Sequence, residues 1–296
     1  MDEKTKSMIE IHIAVFLFGI ASLFGKLISL PSPIIILGRS IFAIVALFIV
    51  IKITKEKFDL ETKKEYLILL ALGAVLAIHW ITFVESVQIS SVAVGLLTYS
   101  TFPFFVLLIE GIFLKTKITK TEIILAIAVF VGVILILPTY DLSSNLTLGA
   151  IYGILSALTF AILAIANRNF VQKYSGSKIL FYEIIGSAIF LSPLLFLQEI
   201  KIDENNLKLI FIFGALFTAT SHTLFIRGMK HISAQKTSII GTLELIYGII
   251  AAAMIVGEIP QFRTLLGGAI IIVSSAYASA LATKEPKLRE KEIEFK

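Results

Sequence analysis

Ten long apolar runs, joined by loops whose basic residues fall almost only on alternate sides, leave this chain one kind of fold. The runs lie at 9–29, 33–53, 66–87, 90–114, 121–138, 148–167, 179–198, 207–227, 236–256 and 262–282 (segments one to ten). A bilayer core about 30 Å thick takes about 20 apolar residues per helix. Only a structure that satisfies its own backbone hydrogen bonds can cross hydrocarbon. Each run therefore predicts a transmembrane helix, and a mean hydropathy of +0.94 leaves little chain for a soluble domain. The expected fold is an all-α integral membrane bundle of ten helices.

The loops set the expected orientation. With the N-terminus in the cytoplasm, 21 of the 26 Lys and Arg lie on that side, among them Lys52, Lys55, Lys117, Lys173, Arg227 and Lys230. Lys201, Lys208 and Arg263 lie on the other side, and Lys26 and Arg39 lie within segments. This is a positive-inside bias. It predicts a multi-pass protein of the cell membrane with both termini cytoplasmic and an even number of spans. The net charge of +5 follows from that topology. No basic patch interleaved with aromatics points to nucleic acid. The absence of cysteine excludes disulfides and thiolate metal sites. Segment one lacks a small-x-small cleavage site and runs straight into segment two, so it is expected to stay as a span.

The halves repeat at an offset of about 142 residues. Ser91-Val92-Ala93 opens segment four, and Ser233-Ala234 opens segment nine. Leu114-Lys115-Thr116 closes segment four, and Val256-Gly257-Glu258 closes segment nine. Lys26 falls on Arg168, and Trp80, beside His79, falls on His222. Five spans per copy is odd, so the second copy enters from the opposite side, giving two inverted-topology five-helix repeats. In transporters built this way the substrate site lies near the midplane, between the repeats. The expected organisation is a cytoplasmic segment 1–8, repeats 9–138 and 148–282, and a charged cytoplasmic tail 283–296. The stretch 138–145 reads as an external turn. The loop 54–65, mixed in charge, reads as solvated surface.

The residues Ile232-Ser233-Ala234, Thr242-Leu243-Glu244-Leu245-Ile246-Tyr247-Gly248, Val256-Gly257-Glu258-Ile259-Pro260 and Leu266-Gly267-Gly268-Ala269-Ile270 carry a resemblance. With Arg39, Pro103 and Gly132 in the first half, they are similar to the EamA-type members of the drug/metabolite transporter superfamily. Leu245 stands where that family often has Pro, and Thr116 where it often has Glu. The resemblance implies two five-span repeats and transport of small metabolites, often amino acids or other polar compounds, frequently outward. Fold-level likeness does not name the cargo.

A charge at mid-membrane costs about 2.5–3.5 kcal/mol on insertion scales, so the few present are informative. Glu244, midway along segment nine, is the sharpest candidate for substrate binding, with Tyr247 nearby. His79, Trp80 and His222 suit the walls of a central cavity, and a histidine there is a candidate proton carrier. Tyr99 and Phe102 stand close to Pro103, which removes a backbone hydrogen bond and kinks segment four. That makes Pro103 a gating candidate, with Gly241 and Gly248 flanking Glu244 in the inverted counterpart. Arg39 reads as a partner for an anionic substrate group or, preferably, for Glu85. Glu183 reads as a structural partner of Arg168 or Lys178. Lys26 is expected to snorkel to the outer interface.

The leading expectation is a secondary transporter of a small polar organic solute, working by alternating access, with the lipid bilayer as its surroundings and protons as a candidate coupling ion. It needs no cofactor and is not an enzyme. No Walker A, zinc-protease or nucleophile-elbow motif occurs. A sugar-phosphate or nucleotide-sugar exchanger, which would want several mid-depth cations, and a non-transporting scaffold stand as alternatives. Substrate, direction, coupling ion and oligomeric state stay open at this point.

Overall fold

Side-chain caps start most of the helices where the apolar runs begin. In the computed structural model, which describes residues 2–113, 120–136, 141, 143–197 and 201–284, Asp2, Ser91, Ser175, Asp203 and Ser233 each accept a hydrogen bond from a backbone N–H three residues on. Thr62 and Glu65 form a reciprocal capping box. Such caps satisfy amides that the first helical turn leaves without partners. The predicted closure of segment four at 114–116, half of the turn 138–145 and nearly all of the tail lie outside the described residues.

Among the described residues, eight helices are long and apolar enough to cross a membrane: Glu3–Leu27, Ser32–Ile53, Lys63–Ile89, Val92–Gly111, Asn145–Phe170, Gly176–Phe196, Glu204–Gly228 and Ala234–Ile255. Segments five and ten give the shorter apolar stretches Ile123–Ile136 and Phe262–Tyr277. The outer faces remain apolar, as with Ile124, Phe130, Phe196 and Met254, which suits contact with lipid. The chain is thus an all-α membrane protein.

Contacts between segments follow the repeat. Segment three packs on six as eight packs on one, and four packs on six as nine packs on one. Segments two and seven, four and nine, and five and ten pair with their own counterparts. Trp80 and His222, 142 positions apart, touch through a 3.2 Å hydrogen bond. Repeat mates meet in this way only close to a pseudo-two-fold axis between the halves.

Loops gather at two ends. At one end, Arg227 pairs with the buried Glu10 at 2.9 Å. The loop 54–65 is mostly exposed, as expected, and is tethered there: Lys173 pairs with Glu61 and Glu65, and Ser175 donates to Glu56. Glu61 first, and Glu65 with it, hold the Lys173 ammonium above the usual lysine range. At the other end Lys26 does not simply snorkel. It donates to the carbonyls of Gln88 and Ser90 at 3.3 and 3.1 Å and lies 3.7 Å from Glu258, which also accepts from the Val92 amide.

Segments one and seven break near their ends, at Ser22–Leu23 and Ser192–Pro193, and interruptions in segments four, eight and nine shape the interior. Segment four breaks at Ser100–Thr101, with Pro103 in the first turn of the helix Phe102–Phe113. Segment nine breaks at Thr242, between Ala234–Gly241 and Leu243–Ile255, at the position matching Ser100. Leu245 occupies the place of Pro103, so no proline causes this second break. Instead the Thr242 hydroxyl donates to the Ile239 carbonyl at 2.7 Å, a back-bond that bends helices. Segment eight carries a π-helix at Ile212–Thr218. π-bulges of this kind recur at functional sites.

Glycines let the helices approach. A Cβ on Gly73 would collide with the Glu183 carbonyl, and one on Gly186 with the backbone of Leu70. Without a hydrophobic drive between helices in lipid, such close packing supplies much of the association. Gly73→Leu is expected to destabilise the protein by about 1–3 kcal/mol or more through overpacking. A thermal melt of the protein in lipid nanodiscs checks this; an unchanged midpoint contradicts it.

Candidate functional site

Arg39 is the positive group of the interior. It lies in segment two, 5% exposed, and its Nε donates to Thr218 Oγ1 at 2.7 Å. That hydroxyl in turn donates to the Phe213 carbonyl at 2.7 Å, across the π-helical turn. The π-helix thereby delivers both a hydrogen-bond acceptor and an aromatic face to the arginine. The guanidinium carbon stands 3.8 Å from the centre of the Trp80 ring and 4.1 Å from that of Phe213. Arginine held between two aromatic faces gains from both stacking and cation–π attraction. The expected ion pair with Glu85 is not formed: Glu85 accepts instead from Ser32 Oγ at 2.6 Å. Apart from Nε, the guanidinium has no hydrogen-bond or ion-pair partner among the described residues.

The two histidines are fixed by their neighbours. Trp80 Nε1 donates to His222 Nε2 at 3.2 Å, so a neutral His222 carries its proton on Nδ1. His79 Nδ1 sits 3.0 Å from the Ser156 carbonyl and 2.8 Å from its hydroxyl. Its ring lies beside Phe160 and Tyr99, with centres 4.9 and 5.7 Å away.

Glu244 is the negative group. It follows the break in segment nine and is 7% exposed. Its carboxylate has no hydrogen-bond or ion-pair partner among the described residues, yet it is not sealed off, because it lines a central cavity. That cavity, with about 390 Å³ of space counted to its open side, is walled by Phe18, Ala21, Ser22, Arg39, His79, Trp80, Phe83, Tyr99, Phe160, Phe213, His222 and Glu244. Arg39 and Glu244 therefore face one aromatic chamber without pairing with each other.

Six of the eight residues expected at a binding site are brought together here: Arg39, His79, Trp80, Tyr99, His222 and Glu244. Two are not. Phe102 stands behind the wall, stacked on Tyr99 at 5.2 Å and pressed against Gly241. Tyr247 turns toward segment one, edge-on to Phe16 and against Gly19. Phe18, Ala21, Ser22, Phe83, Phe160 and Phe213 join the lining without having been singled out from sequence. Phe83 lies one turn from His79 and Trp80 in segment three; the others carry no such signal. Among the expected gating residues, Pro103 lies at the break in segment four. Gly241 and Gly248 sit at close contacts, against Phe102 and against Leu96 with segment one. No cluster of residues able to hold a metal ion occurs among the described residues.

Known proteins bear on this geometry. An S-adenosylmethionine uptake transporter from Rickettsia conorii (strain ATCC VR-613 / Malish 7) is 27% identical over 223 residues, 75% of this chain and 74% of that protein. The pseudopaline exporter CntI from Pseudomonas aeruginosa (strain UCBPP-PA14) is 24% identical over 175 residues, 58% of this chain and 60% of that protein. A solved crystal structure superposes with a TM-score of 0.67 over 94% of this chain and 98% of its own, at 11% identity, a likeness of fold. The model of the EamA-like transporter family matches twice, at residues 5–137 and 147–280. The chain belongs to the EamA-like transporter family, as a membrane-embedded transporter of small molecules rather than an enzyme.

Proposed function

We propose that this protein moves a small zwitterionic metabolite with an amino-acid group across the cell membrane by alternating access. The observation that carries the reading is the unpaired Arg39 and Glu244 facing one cavity. Leaving a buried cation and a buried carboxylate both uncompensated costs several kcal/mol. A ligand bearing one charge of each sign relieves both at once. Its carboxylate would meet the free edge of the Arg39 guanidinium, and its ammonium would meet Glu244. Trp80, Tyr99, Phe160 and Phe213 would cover its apolar or ring portion, with His79 and His222 holding the walls in place.

S-adenosylmethionine is the first compound to try. It has an α-amino acid head, a planar base for stacking and a sulfonium suited to aromatic faces. The relatives named for its uptake support it, while the exporter among the relatives leaves the direction of flux open. The breaks in segments four and nine, at Pro103 and beside Gly241, would serve as hinges, with Gly248 as the close contact they move against. Both termini would lie in the cytoplasm, in keeping with the basic loops. An exchanger of sugar phosphates is disfavoured, because Arg39 is the single cation of the lining.

Binding is testable with purified protein in nanodiscs. S-adenosylmethionine or another amino-acid zwitterion is expected to raise the melting temperature, since a ligand at about 100 times its Kd adds about 2.7 kcal/mol of apparent stability. The shift should vanish in Glu244→Gln. No shift with any zwitterion, in protein that melts cooperatively, contradicts the reading. Arg39→Lys keeps the charge but loses the planar stack. It is expected to weaken binding at least about tenfold, or ~1.4 kcal/mol, and equal affinity in a titration would remove Arg39 from the site.

A further inference from the structure

A second buried acid lies away from the cavity. Glu183, in segment seven, is 1% exposed. Its one polar partner is Asn167 of segment six, whose Nδ2 donates to Glu183 Oε2 at 3.3 Å. Glu183 Oε1 and Asn167 Oδ1 are both buried and both without a hydrogen-bond partner. Three acceptor oxygens therefore share one NH2 group. Turning the amide over does not remove the mismatch, because it only changes which oxygen lacks a donor. Buried polar groups left in this state are rare and costly.

The surrounding charges do not repair it. Neither expected partner reaches Glu183: Lys178 donates to the Asp59 carbonyl at 3.3 Å, and no hydrogen bond or ion pair joins Arg168 to it among the described residues. On the packed elements, Arg227 of segment eight is paired with Glu10, and Glu65 of segment three with Lys173. Arg39 of segment two, His79 of segment three and His222 of segment eight line the cavity. Lys52 of segment two lies over Phe48 and Phe58. Tyr182 donates to the Phe58 carbonyl and packs edge-to-face with Tyr66, ring centres 5.2 Å apart. Among the described residues, no cation balances a Glu183 carboxylate.

One proton resolves every part of this mismatch. Bound to Glu183 Oε1, it makes that oxygen a donor toward Asn167 Oδ1, while the amide continues to donate to Oε2. The result is a cyclic acid–amide pair with each oxygen satisfied and no net charge in the membrane interior. Loss of the proton leaves the carboxylate and the amide oxygen both without a donor, which weakens the polar link between segments six and seven. We propose that Glu183 and Asn167 form an intramembrane proton-binding site, separate from the Arg39–Glu244 cavity, that loads and unloads during transport. Loading follows from the site alone, whereas unloading during transport rests on the transporter reading.

Infrared difference spectroscopy tests this without any substrate. Protein in nanodiscs at neutral pH is compared with Glu183→Gln, whose amide can keep a paired ring with Asn167 and so is expected to preserve the melting temperature. The wild-type-minus-variant spectrum should show one protonated carboxylic acid C=O band, which shifts when H2O buffer is exchanged for D2O. Asn167→Leu, which keeps the acid but removes its partner, should move that band to higher frequency, and it carries the test if the glutamine variant does not fold. A difference spectrum with only carboxylate bands overturns the site. An acid band that D2O never shifts overturns loading and unloading, leaving a sealed structural proton. Failure of S-adenosylmethionine to bind would leave this spectrum unchanged, so the two readings fail separately.

Discussion

Lipid hydrocarbon offers no hydrogen-bond partner, so every polar side chain inside this bundle has to be answered by another part of the protein. Most are. Serines and threonines bond back to their own helices, as Ser40 and Thr98 do to the carbonyls of Ile36 and Val94. Glu10 is met by Arg227 and Glu85 by Ser32. The buried hydroxyls of Thr223, Thr237 and Ser275 lack partners among the described residues, but the unanswered ionisable groups stand out. Arg39 and Glu244 open onto a shared chamber, and Glu183 and Asn167 close on each other with a donor missing. The first arrangement asks for a ligand with two charges, the second for a proton.

The chamber exists because the helices around it are imperfect. Back-bonded hydroxyls and Pro103 interrupt segment four, Thr242 interrupts segment nine, and a π-turn widens segment eight. Each irregularity is tolerable because it faces protein or cavity rather than lipid. The π-turn also sets Thr218 and Phe213 on Arg39. An arginine with only its Nε satisfied keeps its terminal nitrogens available for a bidentate carboxylate, the geometry that guanidinium favours.

Much of this was legible in the residues. Hydropathy marks the spans, and the 142-residue offset that aligns Trp80 with His222 anticipates their contact near the axis. Glu244 stands out in the sequence because a lone mid-span carboxylate is costly, although an interhelical hydrogen bond would answer it as well as a ligand would. The lining phenylalanines do not stand out, since Phe18 or Phe160 in an apolar run reads the same whether it faces lipid, core or cavity. Tyr247, three residues on from Glu244 and so about 60° away around the helix, is far enough round to meet segment one instead of the chamber. The pairing of Arg39 with Glu85 failed because charge and depth say nothing about azimuth. Glu183 reads as half of an ion pair for the same reason; no signal in the sequence marks Asn167 as its hydrogen-bond partner.

The central claim is that Arg39 and Glu244 are kept apart to receive the two charges of one ligand. An experimental structure of the protein in nanodiscs with saturating S-adenosylmethionine tests it most directly. The account predicts ligand density between the two side chains, with a carboxylate on Arg39 and an ammonium on Glu244. A chamber without ligand in which Arg39 and Glu244 have closed into a direct ion pair would contradict it.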